Sequence, residues 1–140
     1  MRKMLLALAA LLCLQALPAL AQSLQPIPVS YLSAATTNST LISGAGQNVL
    51  KWLVAGNTTA VVYYLKVYDK ATAPVCGTDI PILRIPVPPS TATNGGVTAL
   101  SFDDTRFTRG IGFCLTAALA DNDTGVAAVG VALNFGYLWQ

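Results

Sequence analysis

The chain contains no histidine and no glutamate, and charged residues make up only 10% of it. Without histidine, the Ser-His-Asp and Cys-His modes of nucleophile activation, imidazole metal sites and the commonest general base are excluded. Without glutamate, every side-chain carboxylate is one of six aspartates. Asp103 and Asp104 are the one adjacent pair, but neighbours on a strand point to opposite faces, so a solvated turn explains them better than a shared substrate. Glycosidase chemistry needs two carboxylates about 5 to 9 Å apart across a cleft, and the sequence shows no such pair. No enzymatic activity is expected. No cofactor is expected either, because the G-x-G stretches ISGAGQ and TRGIGF do not continue into G-x-x-G before a helix.

Helical periodicity with caps is missing beyond the first 21 residues. Those residues stand apart: Arg2 and Lys3 precede an apolar run from Leu5 to Leu17, and Ala19-Leu20-Ala21 reads as an A-x-A cleavage site. Residues 1–21 are therefore expected to be a signal peptide, with the mature chain starting at Gln22. The run is interrupted by Gln15 and Pro18 and is too short for a ~30 Å hydrocarbon core, so no stable membrane anchor is expected after cleavage. Cys13 lies inside the run behind Leu12, not after a small residue at its end, which argues against lipid attachment. The expected location is exported, periplasmic or secreted.

Past Gln22 the six basic residues balance the six aspartates, so the formal charge of +2 resides in the leader. A chain without basic excess offers no footprint for nucleic acid or for an anionic membrane surface. Low charge with 54% hydrophobic residues excludes disorder and points to a chain that buries most of itself, including against copies of itself. Two cysteines remain after the leader, Cys76 and Cys114, and export would bring them into an oxidising compartment. A Cys76–Cys114 disulfide would close a loop of roughly 40 residues and contribute about 4 kcal/mol. Two separately buried thiols are the alternative.

What the mature chain does have is strand signal almost throughout. VLKWLVA (Val49 to Ala55) and AVVYYLKVY (Ala60 to Tyr68) are rich in β-branched and aromatic residues, and AGNTT between them predicts a hairpin. In the second strand Val61, Tyr63, Leu65 and Val67 share one face, and the face bearing Lys66 is expected to be the wetter one. IPILRIPV (Ile80 to Val87) carries Pro81 and Pro86 and predicts an edge strand. Further strands are expected over 97–102, 110–120 and 126–139, with weaker signals near Tyr31 and Leu41. About seven or eight short strands at spacings of about ten residues predict an all-β fold. It is expected to be a single antiparallel β-sandwich, jelly-roll-like, over 40–140, with 22–39 as an N-terminal arm.

Two groups of residues are candidate sites. Asp121 and Asp123, in the turn DNDTG, have the spacing of calcium ligands but lack the acidic residue an EF-hand loop places downstream; a hairpin turn explains them as well. Trp52, Tyr64, Tyr68 and Trp139 could form an aromatic platform for a glycan, or else belong to the core or a subunit interface.

VVYYLKVYDKATAPVCGTDIPILRIPVP, then a glycine loop and a hydrophobic strand, then RGIGFCLTAALADNDTG and an alternating C-terminal strand, resemble a group of small bacteriophage structural proteins. The resemblance covers about Thr40 to Leu138. It implies a virion component, of tail or head-decoration type, without catalytic residues, that packs through hydrophobic strand faces by self-association or on a larger assembly. It also implies a virion-associated location as the alternative to export, and cysteines at positions 76 and 114 belong to it. The competing expectation is a secreted carbohydrate- or surface-binding module.

Overall fold

Alternation of apolar and polar residues becomes eight strands among the residues described, which are 25–91 and 95–139 apart from the Asp104 side chain. The structure is a computed structural model. The leader 1–21 and the cleavage point before Gln22 lie outside the described residues. In chain order the strands are β1 (Ile27–Leu32), β2 (Thr40–Ser43), β3 (Asn48–Asn57), β4 (Tyr63–Asp69), β5 (Leu83–Val87), β6 (Gly96–Phe107), β7 (Ile111–Thr116) and β8 (Val131–Trp139).

Sheet I has the order β1-β8-β3-β6 and sheet II the order β2-β7-β4-β5, each strand antiparallel to its neighbours. Within these orders β1 lies beside β8, β2 beside β7, β3 beside β6 and β4 beside β5. The chain thus folds back once at β4–β5 and the resulting ribbon wraps into two facing sheets, which is the jelly roll. Every connection except β4–β5 crosses from one sheet to the other.

Between the sheets lies one core. Leu53, Leu133 and Phe135 from sheet I meet Leu65, Val67, Phe113 and Leu115 from sheet II, all buried. Phe113 of β7 joins the layers: its ring meets Tyr31 of β1 edge-on at 5.0 Å and stacks on Phe135 of β8 at 5.4 Å.

The expected sandwich and its jelly-roll character are found, and β5, with Pro86 inside it, does occupy the edge of sheet II. Four expectations are corrected. Val49 to Ala55 and Ala60 to Tyr68 do not form a hairpin: β6 and β8 occupy both sides of β3, leaving no edge for β4. The chain leaves for sheet II at Asn57, whose side chain donates to the Val61 carbonyl and accepts from the Thr59 amide. The supposed arm 22–39 contains β1, paired with β8 from Ile27↔Tyr137 to Leu32↔Ala132, so the sandwich begins well before Thr40. Asp103 and Asp104 lie within β6 rather than in a turn, opposite a β-bulge at Leu50/Trp52. The Lys66 face of β4 is not wet, for a reason given below.

Phe135→Ala, which opens a cavity where the two sheets meet, is expected to lower unfolding free energy by about 3–5 kcal/mol in a urea titration.

Candidate functional site

Antiparallel sandwich sheets ordinarily leave their outer faces to water. On sheet II, Phe113 and Leu115 point to the core, so Cys114 between them points outward, and so does its cross-strand partner Lys66. Yet Cys114, Lys66, Tyr68 and Thr116 are all buried. Two loops cover them. The β4–β5 loop is fastened by the Cys76–Cys114 disulfide, with Cα atoms 6.0 Å apart. It packs on the turn at 121–124: at Gly77 (φ +84°) an added Cβ would lie 2.5 Å from Thr124 Cγ2 and 3.2 Å from the Asn122 carbonyl oxygen. Only glycine fits that turn.

Aspartates hold the loops in shape. Asp79 accepts from the Val75 amide at 2.6 Å and from Lys70 Nζ at 2.5 Å, and these bonds, the lysine's first, keep its carboxyl below the usual range. Asp69 is half-buried, which by itself would raise its pKa, but bonds from the Arg109 amide and the Thr108 hydroxyl bring it below the ordinary value. Beneath the cover, Lys66 Nζ donates to the Ala120 carbonyl at 2.5 Å. Burial lowers its pKa, opposed by the charges of Asp123 and Asp121. The Tyr68 hydroxyl is buried without a hydrogen-bond partner, and burial, with smaller contributions from Asp79 and Asp121, pushes its pKa up to about 12.

Asp121 and Asp123 are committed to different partners. Asp121 takes a two-point bond from Arg84, at 2.5 and 2.6 Å, whereas Asp123 accepts from the Ala118 and Gly125 amides. No group of three or more metal-ligating side chains comes together among the described residues. Nor is the turn a simple hairpin: a Thr116↔Val126 bridge closes it, but the chain goes on to the other sheet.

The four aromatic candidates are scattered. Tyr68 is fully buried beneath the loops, which corrects its place in a platform, because a side chain two positions from Lys66 shares the covered face. Tyr64 is half-buried on the same side of β4, facing Thr116 and Pro86. Trp139 is exposed at the end of β8, its indole beside Gly46. Trp52 lies on the outer face of sheet I, directly over Gly136, where an added Cβ would fall 2.1 Å from Nε1.

That outer face is the opposite of the covered one. Three rows cross its four strands in register: Leu32-Ala132-Gly56-Val97, Ser30-Asn134-Val54-Ala99 and Pro28-Gly136-Trp52-Ser101. None of these side chains is ionisable. Apart from Asn134, which accepts from the Ser30 hydroxyl at 2.7 Å, the residues are small or apolar, and Leu32, Val54 and Val97 are exposed. Sequence reading missed this surface because it depends on which strands are neighbours. An open cleft of about 520 Å³ lies at the other side, lined by Asp69, Lys70, Thr78, Asp79, Ile80, Ile82 and Arg109.

No family model matches the chain, and no curated protein does. Among solved structures it is similar to the coat protein of tobacco streak virus, at 11% identity over 82% of this chain and 86% of that one, with a TM-score of 0.37. So loose a likeness carries no argument, and the fold assignment rests on the strand order.

Two outcomes follow for the covered face. Reducing Cys76–Cys114 is expected to lower unfolding free energy by about 4 kcal/mol, measured by denaturant titration with and without a dithiol. Tyr68→Phe removes an unpartnered buried hydroxyl and is expected to leave stability unchanged or raise it by about 1 kcal/mol. A tyrosine with a raised folded pKa contributes stability that is present below the unfolded pKa of about 10 and lost as pH rises through the folded value. Melts of Tyr68→Phe between pH 9 and about 12 should therefore fall less steeply than those of the parent.

Proposed function

We propose that the protein is a non-enzymatic structural module that works by packing its surfaces against copies of itself or a larger assembly. The observation that carries this reading is the outer face of sheet I, where three rows crossing all four strands carry no ionisable side chain and expose Leu32, Val54 and Val97. The three rows span about 20 by 20 Å, and contiguous exposed apolar surface on a monomer is commonly functional. No ionisable side chain within these rows has to be desolvated on contact. The sequence resemblance to bacteriophage tail or decoration proteins supports the same role, and the Cys76–Cys114 disulfide supports an exported protein.

One observation favours a second reading, glycan binding. Trp52 lies over Gly136 with Ser101 and Asn134 beside it in register, an aromatic ring flanked by hydrogen-bonding groups.

Sedimentation velocity of the disulfide-bonded protein over a hundredfold concentration range decides between them. The structural reading expects growth in sedimentation coefficient with concentration. A strict monomer that binds immobilised sugars, and loses that binding in Trp52→Ala, would replace it with the glycan reading.

A further inference from the structure

Three N-x-S/T sequons lie in the chain, at Asn38-Ser39-Thr40, Asn57-Thr58-Thr59 and Asn122-Asp123-Thr124. In a secretory pathway that glycosylates, each such asparagine is an acceptor, and the sugar replaces one hydrogen of its Nδ2. The fold treats the three in two different ways.

Asn38 is 3% exposed and Asn57 2%. Both hydrogens of Asn38 Nδ2 are spent inward, on the Ala34 carbonyl at 3.0 Å and the Thr36 carbonyl at 2.7 Å. Its Oδ1 accepts from the Tyr31 hydroxyl at 2.9 Å and the Ala34 amide at 2.7 Å, and its backbone is left-handed, with φ +52°, a region asparagine tolerates better than most residues. Asn57 Nδ2 is held likewise, by the Val61 carbonyl at 2.7 Å and the Val87 carbonyl at 3.4 Å, where the chain leaves sheet I. A sugar on either nitrogen removes an inward hydrogen bond and finds no room at such burial. The side chain would have to turn out and leave carbonyls unpaired behind it. Asn122 is the reverse case, exposed on the turn that covers sheet II.

The disulfide by itself leaves two compartments open, since the lumen of the endoplasmic reticulum and a bacterial periplasm are both oxidising. The sequons separate them. Glycan transfer in the endoplasmic reticulum reaches the chain before it folds, so burial in the finished structure gives Asn38 and Asn57 no protection. Resting on the export reading, we infer that the protein reaches its oxidising compartment by a route that transfers no glycan to N-x-S/T sequons before folding, as across a bacterial inner membrane.

The threonines of the two buried sequons have structural work of their own. The Thr40 hydroxyl donates to the Asn38 carbonyl at 3.1 Å, and the Thr59 hydroxyl donates to Asn57 Oδ1 at 2.8 Å. Such short-range bonds are what asparagine and threonine supply to turns. The Asn-x-Thr spacing that shapes these turns is the same spacing that makes a sequon. Where sequons are modified the two uses conflict, and a chain matured there could not keep both pairs in place.

The test makes the full chain in a bacterium with a periplasm, and again in a cell that secretes through a glycosylating endoplasmic reticulum, there with the host's leader in place of residues 1–21. Intact mass with and without an N-glycanase, peptide maps and the yield of soluble disulfide-bonded protein are read from both. The periplasm is expected to yield cleaved, unglycosylated, folded protein. The second host is expected to add sugar at Asn38 and Asn57 and to release at least about tenfold less folded protein, because each glycan costs buried hydrogen bonds. Blocking synthesis of the glycan donor should restore that yield without any substitution. So should Thr40→Val/Thr59→Val, a pair that leaves only Asn122 as an acceptor and is first checked for folding in the periplasm. Folded, disulfide-bonded protein carrying sugar on Asn38 or Asn57 overturns the inference, as does full secretion with both left bare. A chain that stays uncleaved and reduced in the bacterial cytoplasm overturns the export reading itself.

Discussion

The central strands of sheet II, β4 and β7, are covered on both faces, and most of what distinguishes this jelly roll depends on that. Their inner face meets sheet I through Phe113 and Leu115. Their outer face is closed by the β4–β5 loop and the turn after β7, held down by one covalent bond at Cys114 and one two-point ion pair between Arg84 and Asp121. The covered strand must then accommodate a lysine. Lys66 gives its proton donor to the Ala120 carbonyl, which is supplied by the covering turn itself. Tyr68 has no such provision and keeps an unpaired hydroxyl at a real cost in stability.

The sandwich is asymmetric in consequence. Among the described residues the outer face of sheet I carries no ionisable side chain across three rows. Large apolar side chains stay exposed at several places, among them Leu32, Val54 and Val97 on that face and Val75, Ile80 and Ile82 on the loop over the other side. A surface of this type is costly for an isolated protein and useful for one that meets copies or partners.

Strand-level features were legible in the sequence because they are local. Period-two alternation marked β3, β4 and β8, and Pro81 and Pro86 marked an edge, since a residue without an N–H cannot serve a central ladder. The two cysteines beyond residue 22 made a pairing the leading expectation against two buried thiols, and the Cys76–Cys114 bond decides for it. Neighbourhood was not legible. VLKWLVA and AVVYYLKVY are adjacent in sequence with a turn between them, yet β3 already has β6 and β8 as partners, both distant in the chain. Lys66 was misplaced for the same reason: a lysine alternating with apolar residues signals a wet face unless something far away covers it, and Ala120 is 54 residues on. The sheet I surface was invisible because its rows draw one residue from each of four separate segments.

The crossing connections also govern how the chain reaches this state. With every link but β4–β5 passing between sheets, almost no strand finds its partner next to it in sequence, and β1 must wait for β8, the last of the described strands. Topologies dominated by such distant pairings fold in milliseconds to seconds rather than microseconds. During that interval the edges of sheet I are open. Cys76 lies in the connection of the one local hairpin, β4–β5, and Cys114 on β7, the strand paired with β4, so closing their bond early would fix the middle of the ribbon before its ends arrive.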